Sequence, residues 1–270
     1  MSYEKNNVVI VTVVSLIFII SSAIVYFVFF LDKPIKDDTK DSIYVKVTDE
    51  TIIEELENTI KNNNLIELAK YEKTLDNINA ISNIQKLNMA FGALDNEEID
   101  NKLIVEYFKN SFKNSIYYSN EDIMCSCKEV LYTYDKESNT YKYNNHEHEI
   151  TTIYPYYSKV LSVDKKNDTY VIKVAYVWNI YDIERYTNTG YASYNDALNK
   201  QNELFKIEVP DISANYNMPN NFDIEISKDM YAVKEIKANY ELYKNKLHRY
   251  TYTFEKDNDL YKLVSFKFEK

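Results

Sequence analysis

The chain has 270 residues and a formal net charge of −10, with 27 tyrosines and only two glycines. This surplus of acid excludes a nucleic-acid partner, because a phosphate backbone is bound by a basic surface. Two glycines leave no glycine-rich loop, which excludes a P-loop and a dinucleotide fingerprint together with the enzymes that cradle phosphates on backbone N–H groups.

After a short N-terminal tail (1–7), residues 8–31 read VVIVTVVSLIFIISSAIVYFVFFL, without a charge or a proline. At about 1.5 Å per residue, such a run covers a hydrocarbon core of about 30 Å as a transmembrane helix. A cleaved signal peptide is the competing reading, but its apolar region is shorter and ends at small residues. Here Ser21-Ser22-Ala23 is followed by more apolar sequence, so the run reads as an uncleaved, single-pass signal-anchor. Lys33, Lys36 and Lys40 follow it, interleaved with Asp32, Asp37, Asp38 and Asp41. A strict positive-inside count places the following chain in the cytoplasm. Long domains translocate largely regardless of such charges, and the expectation here is an extracytoplasmic domain in contact with the bilayer only through 8–31.

Residues 32–48 form a polar linker, and helical periodicity begins after it. Thr51 and Glu54 stand in capping-box spacing, with Ile52, Ile53, Leu56 and Ile60 on one face behind them. LIELAKYEKTL (65–75) and INAISNIQKLNMAFGAL (78–94) continue the pattern, and Asp95 with Glu98 suggests another box. The region 49–113 is therefore expected to hold four short helices. From about residue 122 the period changes to two, and 114–270 reads as an antiparallel β-rich region packed with the helices as one domain. Turns are expected at DKES (135–138), at DKKND (164–168) and at KDND (256–259). Between them, SYNDALNKQ suggests a short helix, PDISANYNMPNN a loop, and DMYAVKEIKANYELYKNKL a helix in preference to a strand. Helices first and antiparallel strands after give an α+β fold. A curved sheet with helices on one face, of the nuclear-transport-factor-2-like (NTF2-like) kind, suits that order.

One stretch concentrates potential ligands. IMCSCKEVLYTYDKESNTYKYNNHEHEI (123–150) contains both cysteines, as C-x-C, and two histidines, as H-x-H. If the turn is Asp135–Ser138, with Tyr134 opposite Asn139, a hairpin sets Cys127 opposite His146 and Cys125 opposite His148. Residues i and i+2 of a strand share a face, so the four converge. Two thiolates and two imidazoles suit tetrahedral zinc, and a site closed by four protein ligands favours a structural over a hydrolytic metal. A disulfide between Cys125 and Cys127, or no special role for either, remains open. A second candidate is an aromatic platform for sugars or a peptide, made of Tyr154, Tyr156, Tyr157 and Trp178, against the plainer reading of these residues as sheet packing. His248 reads as a strand-end histidine, and no residue is singled out as catalytic.

AFGALDNEEIDNKLIVEYFKNSF, EDIMC, LYTYD, YKYNNHEHE and the closing YTYTFEKDNDLYKLVSFKFE together resemble one group of proteins. These are uncharacterised single-pass membrane-anchored proteins of low-GC Gram-positive bacteria. The resemblance runs over most of residues 50–270. It implies an extracytoplasmic α+β domain and carries no assigned activity. Two functions are expected from different classes: a non-enzymatic binding or envelope-assembly module that engages a cell-wall component or another envelope protein, or a metal protein centred on the zinc quartet.

Overall fold

Alternating apolar residues over 153–182 fold into one long hairpin, and the other described elements of residues 44–270 are arranged around it. The computed structural model describes residues 43–124, 129–144, 153–182, 184–209 and 222–270; the side chains of residues 156 and 222–231 are outside that description. The apolar run 8–31 also lies outside it. Among the described residues no helix is long and apolar enough to cross a membrane.

Strands β6 (Ile153–Lys166) and β7 (Thr169–Asp182) pair antiparallel, with Asn167 in the turn at φ 52°, a left-handed conformation that asparagine tolerates better than most residues. Their register shifts between Tyr154 and Tyr157 and again between Val160 and Ser162. Each bulge bends and twists the hairpin. The outer edge of β6 carries β1 (Val45–Lys46). The far edge of β7 is divided. Its first half pairs with β10 (Arg249–Asp257), which continues to β11 (Leu260–Glu269). Its second half pairs with β8 (Thr187–Tyr191), which continues to β9 (Glu203–Glu208). A second sheet has the order β2 (Glu98–Asp100), β5 (Thr140–Tyr143), β4 (Val130–Asp135) and β3 (Ile123–Met124).

The helical region is α1 (Glu50–Asn62), two 3-10 segments (Leu65–Tyr71 and Ile78–Ala80), α2 (Asn83–Leu94) and α3 (Asn101–Ser111). Two starts differ from expectation. The side chain of Asp49, not Thr51, caps α1, accepting from the Thr51 N–H at 3.0 Å. Asp95 closes α2 at φ 44° instead of opening the next helix. Glu98 lies in β2, because Ile99 is completely buried opposite Tyr141 and the segment pairs as strand before Asp100 caps α3. The reciprocal box forms elsewhere, between Ser82 and Gln85. Later in the chain come α4 (Tyr194–Asn199) and α5 (Phe222–Tyr243), both on segments expected to be helical.

Strand alternation sorts β7 onto two cores. Ile172, Val174, Tyr176 and Trp178 face the N-terminal helices, joining Leu56, Phe91, Tyr250, Tyr252 and Phe266 in one continuous cluster. Ala175 and Val177 face the other way, into a smaller cluster with Phe205, Ile236 and Leu247. Ile236 belongs to α5, so the large sheet has helices on both faces, not on one. The small sheet packs on α2 through Phe91, whose ring lies 4.6 Å from Tyr132 and 4.9 Å from Tyr141.

Candidate functional site

Pro155 positions the candidate site. It has no N–H to give a ladder, so it is tolerated in a strand at an edge or a bulge. Here the register shift places Pro155 and Tyr156 opposite Trp178 alone. Beside this bulge, the body of α1 faces the inner surface of the hairpin and encloses a cleft of about 400 Å³. Its walls are Glu54, Glu57 and Lys61 from α1 and Tyr154, Ser158 and Tyr176 from the sheet, with Ile66 and Val174 adding apolar surface. Tyr154 is 46 % exposed, whereas the Tyr176 ring is buried and its hydroxyl meets that of Tyr252 at 3.1 Å.

The electrostatics of this cleft are unbalanced. Glu54 and Glu57 are three residues apart and share a face of α1, an arrangement in which like charges repel. Neither carboxylate makes an ion pair among the described residues. Burial raises the Glu57 carboxyl above the ordinary carboxylate range, and the Glu54 charge pushes it the same way. Tyr176 is raised chiefly by its burial, and the Glu57 charge adds to the rise.

A stability consequence follows from the sign of that shift. A carboxyl whose folded pKa is raised binds its proton more tightly in the fold than in the unfolded chain. Its contribution is therefore lost as pH rises from the unfolded value, near 4.5, through the raised folded one, and stays lost at neutral pH. Glu57→Gln is expected to gain stability at pH 7 and to match the parent below about pH 4. Urea denaturation at both pH values measures this, and an equal offset at the two would refute it.

The residues expected to form an aromatic platform are separated. Tyr154 lines the cleft, while Trp178 is completely buried in the inner core, 5.3 Å from the Tyr194 ring. Tyr157 packs on the opposite face near Tyr240 of α5, and the Tyr156 side chain lies outside the described residues. The bulge at Pro155 breaks the strict alternation on which a shared face depends. Trp178 thus offers no surface to a ligand.

Cys125, Cys127, His146 and His148 all lie outside the described residues. The hairpin expected to unite them has a different register where it is described: Tyr134 pairs with Tyr141 and Tyr132 with Tyr143, a displacement of two residues. The turn is Lys136–Asn139, with Asn139 at φ 56°, because Asp135 stays in the ladder opposite Thr140. The cysteines fall between β3 and β4. Among the described residues no cluster of three or more His, Cys, Asp or Glu side chains could hold a metal.

His248 is more than a surface residue. It is 7 % exposed, packs edge-on against Phe268 at 5.2 Å, and has Nδ1 3.8 Å from Glu72 Oε1. Burial lowers its pKa, while the charges of Glu72 and Asp196 oppose the shift and Lys270 reinforces it. A depressed imidazole contributes stability that is complete above its unfolded pKa, near 6.5, and that declines as pH falls from there. His248→Leu is expected to flatten the stability profile between pH 7.5 and 5.5. Identical slopes in parent and variant would count against it.

A second cleft, of about 310 Å³, lies between α3 and β11 with Lys109, Lys113 and Lys262 around Phe108, Phe112 and Ile116. Lys113 already pairs with Glu255 and Lys262 with Asp257. Lys109 and Lys113 also stand at the C-terminal end of α3, where cations offset the helix dipole. Lys113 and Lys262 are thus engaged within the protein, and the α1 cleft is the stronger candidate. In the sequence Glu54 reads as part of a cap and Glu57 carries no signal beyond its like-charge spacing to Glu54. Comparison with known proteins finds no matching family model, curated protein or solved structure.

Proposed function

We propose that this chain is a membrane-tethered extracytoplasmic binding module of the cell envelope, held by residues 8–31 and binding a ligand non-enzymatically in the α1 cleft. The observation that carries the reading is the cleft itself. Glu57 stands in it partly buried and outside any ion pair among the described residues, although Lys61 lines the same cleft. A wall component or another envelope protein is the partner this location would supply. A curved sheet of the NTF2-like kind belongs to the same proposal, supported by the two bulges of the β6–β7 hairpin and departing from the expected form in that α5 covers the second face.

Alkaline carbonate extraction tests the tether. The full chain should stay in the membrane pellet and a chain lacking 8–31 should be released. Protease added to intact cells should then digest the domain from outside. Release of the full chain, or complete protection of the domain, would overturn the assignment. Ser158→Trp, at an exposed position lining the cleft, should abolish ligand binding with little effect on folding.

A further inference from the structure

One end of the large sheet is suited to a lipid surface, an inference that rests on the tether at residues 8–31 proposed above. We infer that the end at which β1 enters sits on the bilayer interface and meets it through Tyr44, Val45 and Leu260.

Strand register defines that end. Val45 pairs with Lys165 and Lys46 with Asp164, so β1 runs inward from the tip of the β6–β7 hairpin. The β10–β11 hairpin turns beside the same tip, where the Lys256 N–H donates to the Asp168 carbonyl at 2.8 Å. Between the apolar run and this tip lie residues 32–42, which span at most about 40 Å when fully extended. The other end of β7 is 14 residues away, about 46 Å along the strand. Standing the hairpin on that other end against the lipid would stretch the tether to its limit. The β1 tip reaches the bilayer without that cost.

The side chains at the tip suit an interface. Tyr44 and Val45 are 47 % and 66 % exposed, on an edge strand whose outer side has no partner strand among the described residues. Leu260 opens β11 at the opposite corner of the same end and is 46 % exposed. Scattered apolar side chains need no explanation, but these three share one end of one sheet. One of them is a tyrosine, whose amphipathic ring favours a membrane–water boundary. An exposed apolar edge also invites pairing with other chains, which a bilayer against the tip would prevent. The lysines there do not make an anion-binding patch. Lys165 lies 4.9 Å from the Tyr170 ring, Lys256 lies 4.8 Å from the Tyr261 ring, and Lys262 pairs with Asp257. Lys46 and Lys166 are offset by Asp164, Asp168 and Asp259. The contact is therefore apolar and aromatic, and indifferent to anionic headgroups.

The test uses the full chain in phosphatidylcholine vesicles with and without brominated acyl chains, which quench tryptophan fluorescence on contact. Leu260→Trp is compared with Tyr186→Trp, a change at an exposed position in the turn from β7 to β8, at the other end of the hairpin. Trp178, the single native tryptophan, is completely buried and supplies a constant background that also reports an intact core. The Leu260→Trp chain should lose emission in brominated vesicles, and the Tyr186→Trp chain should not. Adding Tyr44→Asp and Val45→Asp to Leu260→Trp should abolish that loss while the Trp178 background stays unchanged. Phosphatidylglycerol mixed into the vesicles should alter neither result. A chain that stays with the vesicles while Leu260→Trp keeps its emission overturns the contact and leaves the tether. Equal quenching of Leu260→Trp and Tyr186→Trp overturns the choice of this end. Quenching that survives Tyr44→Asp and Val45→Asp, or that requires phosphatidylglycerol, overturns the apolar contact. A chain recovered in the supernatant overturns the tether reading and this inference together.

Discussion

Gly190→Val should lower the stability of this domain by about 3 kcal/mol, the upper part of the range for overpacking a closed core. The reason is a close approach between two strands. Gly190 of β8 stands opposite Phe205 of β9, and a Cβ built on it would lie 2.2 Å from the Phe205 ring. That ring cannot swing away, because it is 8 % exposed and sits 5.6 Å from Tyr243 of α5 in the cluster with Ala175 and Val177. Any side chain at 190 therefore forces β8 and β9 apart or expels the ring. Chemical denaturation measures the loss, and a Gly190→Ala, Phe205→Leu double variant should recover part of it. A Gly190→Val protein within about 0.5 kcal/mol of the parent, the range of ordinary surface changes, would refute the argument.

The second large effect concerns Trp178. Trp178→Ala is expected to cost about 4 kcal/mol, within the range for removing a large buried aromatic. It loses contacts with Tyr176 at 6.1 Å and with Tyr194 at 5.3 Å, in a core too tightly built to collapse onto the space. A surface platform residue would behave oppositely, with little change in stability and a loss of binding. Measuring stability beside ligand binding in the α1 cleft separates the two roles. Unchanged stability with lost binding would return Trp178 to the ligand site.

Part of this architecture was legible in the sequence because period and turn chemistry agreed. Asn167 and Asn258 mark the turns of two long hairpins, and both adopt left-handed φ, 52° and 55°. Ile52, Ile53, Leu56 and Ile60 defined the buried face of α1, where Leu56 and Ile60 are indeed enclosed. The β8–β9 pair was not legible. Its strands are five and six residues long, and β8 reads TNTGY, with little of the apolar alternation that announces a strand. Thr187, Asn188 and Thr189 are buried there by tertiary packing, which overrides composition. Asparagines that looked like background also act structurally. Asn79 and Asn83 use their side-chain amides to hold the backbone of Ser115, Tyr117 and Ser119, a pairing no local pattern announces. Of the candidate site, Tyr154 was visible and the carboxylates opposite it were not. Their proximity depends on α1 crossing a hairpin about a hundred residues later in the chain.

The divided edge of β7 bears on how the chain reaches this state. The β6–β7 hairpin closes through a two-residue turn, a step available within microseconds. Strand β8 follows β7 closely in the chain, and β9 joins β8 across α4. Strand β10 must return across more than sixty residues to find the first half of β7, and that closure costs more entropy than either hairpin beside it. Folding should therefore be limited by the arrival of the C-terminal hairpin on a preformed template. Substitutions at the β7–β10 seam, such as Ile172→Val, should slow folding, whereas those in β9 should mainly speed unfolding. Stopped-flow chevrons of the two classes would show whether β7 is the template on which the rest assembles.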